Sequence, residues 1–276
     1  MQPAMHIRIG YELLYELPQP TPMILNLNVH YSRAADLVRA DRILTEPFVD
    51  SRMYRDGTGN WCTRLVAPQG AFRIFADGLI SDSGVAEPAY PYAAEHAVES
   101  LPDETLVYLL ASRYCETEHL AATAWELFGG TAPGWARVQA ICDYVHAHIA
   151  FDYLAARPTK TAAEVFAERR GVCRDYAHLA IALCRCLNIP ARYCTGYLGD
   201  IGVPALPAPM DFAGWFEAYL GGQWHVFDPR NNQRRIGRIL IARGRDAVDV
   251  AMTMTFGPNL LKGFKVFTHE VERAAI

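Results

Sequence analysis

The residues best suited to chemistry lie around Cys173, in the stretch Arg169-Arg170-Gly171-Val172-Cys173-Arg174-Asp175-Tyr176-Ala177-His178-Leu179. The run beyond it, Ala177, Leu179, Ala180, Ile181, Ala182, Leu183, Cys184, Cys186 and Leu187, is too continuously apolar for a one-faced surface helix and predicts a buried one. Gly171 offers a sharp turn into that helix. Asn188-Ile189-Pro190 ends it, because proline disfavours a helical residue before it. Cys173 then falls in the first turn, where unpaired backbone N–H groups and the positive end of the helix dipole converge. Such surroundings lower a thiol pKa and favour the thiolate, the form that attacks carbonyl carbon.

A second group of residues must be carried to that helix by a sheet. Residues 212–220 and 224–228 read as a hairpin around Gly221-Gly222, a dipeptide suited to tight turns with positive φ. If Leu220 faces Gln223, then Glu217 faces Val226 and Trp215 faces Asp228. Side chains on one face recur every second residue, so Ala213, Trp215 and Glu217 share a face with Val226, Asp228 and Arg230. Ala213 becomes the diagonal neighbour of Asp228. His225 points to the other face by the same parity. His178, five residues after Cys173, lies about 140° round the helix from it and is expected to pack internally.

Gly171-Val172-Cys173-Arg174-Asp175-Tyr176-Ala177-His178-Leu179 is followed by Ile189-Pro190-Ala191-Arg192-Tyr193-Cys194-Thr195-Gly196-Tyr197, by Trp215-Phe216-Glu217-Ala218-Tyr219, and by Trp224-His225-Val226-Phe227-Asp228-Pro229. In order and content these blocks resemble the transglutaminase-like core of bacterial cysteine peptidases. The resemblance covers residues 104–271 and extends to the N-terminal part by general plan. It implies an α+β fold, with a papain-like thiol core of helices packed on an antiparallel sheet, preceded by an N-terminal β-sandwich-like domain. It also implies a Cys–His–Asp triad in which Cys173 is the nucleophile and Asp228 orients the imidazole. The Cys173 backbone N–H would be an oxyanion donor, and Tyr153 resembles an aromatic position near the oxyanion site. The position of the triad histidine, two residues before the tryptophan, holds Ala213.

Alanine accepts no proton. Losing a general base costs roughly 10²–10⁴ in rate, and more where triad members act as a unit. Two readings follow. In the first, a thiol protein acts on amide or isopeptide bonds through Cys173, by acyl transfer or peptide hydrolysis, with weak or lost activity. In the second, a catalytically degenerate fold binds a peptide or protein partner without turnover. Trp215, Glu217, Tyr153 and Arg230 are the candidate substrate-binding residues in either case, with Trp224 beside them. No cofactor or structural metal is implied, and no acidic loop of EF-hand type suggests calcium.

Composition narrows the class further. The chain has 276 residues, about half of them hydrophobic and a fifth charged, with a net charge of −4. Without a basic run, nothing points to nucleic acid or an anionic membrane. Met1-Gln2-Pro3-Ala4-Met5-His6-Ile7-Arg8 lacks the basic region and apolar core of a secretory signal, and no uncharged apolar run reaches the ~18 residues of a membrane helix. A cytoplasmic location is the expectation. Seven cysteines then read as free thiols of a reducing compartment. Cys184-Arg185-Cys186 and Cys194 lack zinc-knuckle spacing and are expected in the core.

Along the chain, residues 1–85 are expected to form the N-terminal β domain, 86–103 a linker and 104–276 the core. Tyr11, Leu13 and Tyr15 alternate with Glu12 and Glu16, and Met23, Leu25, Leu27 and Val29 alternate with Asn26 and Asn28. Pro18-Gln19-Pro20-Thr21-Pro22 breaks the two. Asp56-Gly57-Thr58-Gly59-Asn60 is a turn between strands over 51–54 and 61–66, and 71–80 gives another strand. Helices are expected over 104–114, 119–128, 134–149 and 162–168. The last opens on the capping box Thr161-Ala162-Ala163-Glu164. A strand over 192–198 leads to a Gly- and Pro-rich rim loop at 199–210. Residues 234–246 combine a strand with a basic turn, expected as surface charge, and 249–255 and 263–271 are expected to close the core sheet.

Overall fold

The computed structural model describes residues 5–205 and 209–271; residues 206–208 of the expected rim loop lie outside it. The first seven strands are β1 (Met5–Leu17), β2 (Thr21–Leu25), β3 (Leu37–Arg39), β4 (Leu44–Glu46), β5 (Ser51–Arg55), β6 (Trp61–Ala67) and β7 (Gly70–Asp82). Period-two alternation decides their faces: Ile7, Ile9, Tyr11, Leu13, Tyr15 and Leu17 of β1 are all buried, while Arg8 and Leu14 are exposed. β1 pairs with β7 along its whole length, from Met5 opposite Asp82 to Leu17 opposite Gly70. The expected hairpin forms between β5 and β6, its turn tied by the Asp56 carboxylate to the N–H groups of Thr58 and Asn60.

The C-terminal strands depart from expectation. β14 (Thr253–Thr255) pairs with β2, and β15 (Leu260–Val271) pairs with β1, so neither closes the core sheet. The result is two antiparallel sheets, ordered β15-β1-β7-β3 with β4 also on β7, and β14-β2-β6-β5. The alternation in 263–271 fits any half-buried sheet edge. Which edge it meets is set by the path of the chain, not by the pattern.

The core holds the helices α1 (Asp103–Leu106), α2 (Ala121–Phe128), α3 (Trp135–His148), α4 (Ala162–Glu168) and α5 (Cys173–Cys186). The expected helix over 104–114 stops early: α1 is followed by a 3₁₀ turn at Val107–Leu109 and an extended Leu110. The buried Arg185 guanidinium of α5 donates to Leu110 O at 3.0 Å and Ser112 Oγ at 3.0 Å, which holds this segment in a carbonyl-presenting loop. The capping box at Thr161 and Glu164 forms as the sequence predicts. Two short strands, β8 (Ala150–Phe151) and β9 (Arg170–Gly171), pair in parallel just before α5.

α5 is the axis of the core. Ala177 to Leu183 are fully buried, with α2, α3 and α4 around the helix and the sheet against it. That sheet contains β10 (Ala191–Leu198), β11 (Ala213–Leu220), β12 (Gln223–Phe227) and β13 (Arg238–Gly244), in the order β12-β11-β10-β13. Gly221 and Gly222 have φ of 57° and 81°, the positive values a two-residue hairpin turn needs, and Leu220 faces Gln223 as expected. Phe212 stitches core to β layers: its ring lies 6.1 Å from Tyr11, 5.3 Å from Tyr197 and 6.0 Å from Phe264. No helix among the described residues is long and apolar enough to cross a membrane.

Candidate active site

The approach to Cys173 differs from expectation in one detail. The turn is made by Arg169, in the left-handed region at φ 55°, while Gly171 serves close packing. A Cβ at Gly171 would stand 2.6 Å from the Asp175 carboxylate, which accepts the Val172 N–H at 3.0 Å and so caps the start of α5. Pairing of Phe151 with Gly171 then brings Tyr153 beside the helix start.

Cys173 is the one cysteine of the seven that is only partly buried as a residue, although its sulfur is enclosed. It lies in a cavity of about 1080 Å³ lined also by Tyr153, Tyr193, Asp211, Ala213, Arg230 and Asn231. Phe264 and Thr268 of β15 form part of the wall, so the cavity runs between the thiol core and the β layers. Its sulfur is 4.0 Å from Phe212 O.

Burial of the sulfur and the nearby Asp211 carboxylate push the Cys173 thiol up to about 11, against the backbone N–H groups of Gly214 and Arg174, which favour the anion. This reverses the expectation of a lowered thiol pKa: desolvation and a like-charged neighbour outweigh the helix terminus. At neutral pH the group is a thiol.

The hairpin register is the expected one as far as Phe216 opposite Phe227 and Glu217 opposite Val226; the ladder ends there, so Asp228 follows β12 without the expected pairing to Trp215. The Asp228 carboxylate, however, is engaged. Arg238 donates to its Oδ2 at 2.9 Å, Asn231 Nδ2 at 2.8 Å, and the Asn231 N–H reaches Oδ1 at 3.0 Å. Burial alone would raise this carboxyl; the Arg238 guanidinium and the Asn231 donors more than offset it and hold it below the usual range. The basic segment expected at the surface is in part internal: Arg234 and Arg245 are exposed, but Arg235 and Arg238 are buried, Arg235 donating to Gly199 O and Asn231 Oδ1.

Two of the candidate binding residues do not reach the cavity. Trp215 is 1% exposed, with the Arg238 guanidinium 4.7 Å over its ring. Glu217 accepts from Arg192 Nε at 2.6 Å, and Arg192 in turn stacks 3.9 Å from the Trp224 ring centroid. The cavity opens at the other end of β11, so these are internal packing and ion-pair groups. Tyr153 and Arg230 do line it. Tyr153, on a 3₁₀ turn, is 49% exposed at the mouth, and the Arg230 guanidinium sits 3.9 Å over Phe151. Asp211, Asn231 and Tyr193 were not singled out from the sequence; the loop position of Asp211 just before β11 is the signal that would have found it.

No imidazole among the described residues is aimed at Cys173. His178 packs between Tyr114 and Tyr193 and accepts the Ala247 N–H at 3.1 Å; His225 meets Leu220 O at 3.1 Å, against Tyr90 and Trp135. His269 reaches the cavity wall, but it pairs with Arg8 and so projects from the outward face of β15, away from the face of Thr268.

A cysteine opening a buried helix, packed on an antiparallel sheet whose hairpin presents the aspartate, defines a transglutaminase-like thiol core. Residues 121–229, the greater part of this core, match the sequence profile of the transglutaminase-like superfamily. The fold of nearly the whole chain is shared with a Cytophaga hutchinsonii protein named as a candidate cysteine protease: TM-score 0.81, 28% identity, 98% of this chain and 92% of the other covered. In sequence, the chain is 40% identical over 86 residues to an uncharacterized protein of Mycobacterium leprae, covering 30% of each. It is 38% identical over 98 residues to one of Mycobacterium tuberculosis, covering 32% of this chain and 31% of the other. The chain therefore spans about a third of the length of these mycobacterial relatives.

Proposed function

We propose that the chain is a slow thiol acyl-transfer protein, acting on an amide or isopeptide bond of a peptide or protein substrate through Cys173. One observation carries this reading: of seven cysteines, the one that is only partly buried opens α5 on the wall of the large cavity. There the N–H groups of Gly214 and Arg174 are placed to stabilise a sulfur anion or an oxyanion. A substrate carbonyl on Cys173 would form a thioester, released by water in hydrolysis or by an amine in transfer. Seven free thiols favour a reducing, cytoplasmic compartment for this chemistry. The test is acetylation by 4-nitrophenyl acetate with peptide mapping; a stable acetyl group on Cys173 supports the reading, and none there defeats it.

The second reading, a degenerate fold that binds a peptide without turnover, has its own support: a thiol held protonated, an aspartate engaged by Arg238, and no imidazole aimed at Cys173 among the described residues. Peptide binding equally tight in wild type and Cys173→Ala, with no acylation, would favour it.

A further inference from the structure

Without an imidazole, acyl transfer still needs a group to carry a proton from the thiol to the leaving atom. One phenol is built into the wall beside Cys173. Tyr193, on β10, is 5% exposed, and its ring rests against His178 at 5.1 Å. Its hydroxyl has no hydrogen-bond partner among the described residues. It points at Gly214: a Cβ there would lie 2.5 Å from Tyr193 Oη and 3.3 Å from Arg174 N. The hydroxyl therefore occupies the space a side chain at 214 would fill, beside the two N–H groups that face the Cys173 sulfur. Tyr153 and Tyr114 also border the cavity, but the Tyr153 ring stands at the mouth and the Tyr114 ring is stacked on His178.

We propose that Tyr193 is a second catalytic residue, a phenol that relays the Cys173 proton to the departing atom of the substrate. The proposal rests on the acyl-transfer reading above. As the sulfur–carbon bond forms, the Sγ proton passes to Tyr193 Oη while the Oη proton passes to the leaving nitrogen or oxygen, whose bond to carbon breaks. The products are a thioester and a neutral amine or alcohol, and the phenol is regenerated. Water or an amine attacking the thioester returns a proton to sulfur by the reverse route. Burial holds the Tyr193 phenol well above its ordinary value, so it keeps the proton this relay needs across the working pH range.

The test compares two esters on the full chain, following acetyl-Cys173 by intact mass and peptide mapping. With 4-nitrophenyl acetate the leaving phenolate needs no proton, and reaction proceeds through whatever thiolate the pH supplies. With phenyl acetate the leaving group needs one. For Tyr193→Phe, the first rate is expected within about twofold of wild type, and the second is expected to fall roughly ten- to hundredfold. Gly214→Ala, whose methyl displaces the hydroxyl, should show the same selective loss, and adding Tyr193→Phe should cost nothing more. Tyr193→Phe removes a single oxygen and keeps the comparison valid if Gly214→Ala fails to fold. Equal loss on both esters makes Tyr193 structural and overturns the relay, as does no loss on either. Failure of wild type to acetylate at Cys173 with either ester defeats instead the acyl-transfer reading beneath it.

Discussion

Asp228 and Arg238 form an ion pair of 2.9 Å in which neither side chain is more than 5% exposed. Arg238 also donates to Glu87, so the guanidinium ties the hairpin to the segment before α1. The aspartate that family resemblance assigns to an imidazole has become part of an internal charge network. A carboxylate already satisfied by a guanidinium and an asparagine has little left to orient a base.

Removing one partner of a buried pair leaves the other charged and unpaired. Arg238→Leu is therefore expected to lose ~3–5 kcal/mol of stability, read from urea unfolding. The pH dependence follows from the depressed Asp228 carboxyl. Its stabilisation is present above the unfolded value of ~3.9 and disappears as pH falls from there through the lower folded value. Asp228→Asn should flatten that acid limb, and an unchanged limb would remove Asp228 from the account.

With the thiol pushed up to about 11, iodoacetamide labelling of Cys173 should keep accelerating toward that pH and show no plateau near 8.5. Asp211→Asn removes a nearby negative charge and so lowers the thiol pKa. Labelling at pH 8 should rise several-fold in this variant, and a slower rate would reverse the assigned sign.

Ala213→His would put an imidazole on the cavity wall beside Cys173. Acetylation of Cys173 is expected to gain a pH-dependent limb near the ~6.5 of histidine. The gain should fall short of the ~10²–10⁴ of a general base, because Asp228 is engaged elsewhere. A full-sized gain would mean that Asp228 is free to leave Arg238.

Glu217 is paired with Arg192 inside the sheet layer. Glu217→Gln is expected to cost about 3 kcal/mol of stability and to leave the rate of Cys173 acetylation within about twofold of wild type. A selective loss of acetylation with unchanged stability would return Glu217 to the binding residues.

Much of this was legible in the sequence. The apolar run after Cys173 could only be buried, Thr161 and Glu164 could cap α4, and Gly221-Gly222 fixed the hairpin register, because each depends on residues within a few positions. Those local rules put Cys173 at the start of α5 and Ala213 at the start of β11, both on the cavity wall. Trp215 and Glu217 share the face of Ala213, yet a face does not say which part of it a cavity will reach.

What only the tertiary structure decided are interactions between distant segments. β15 could have closed either sheet, and its pairing with β1 made the β layers a wall of the cavity. The height of the Cys173 pKa depends on burial and on Asp211, 38 positions away in the chain (211 minus 173), and the state of Asp228 depends on Arg238. Sequence by itself determined the position of Cys173, the helix that presents it and the alanine at position 213. Desolvation and charge pairing, which exist only once the chain has closed on itself, decided how that thiol is tuned.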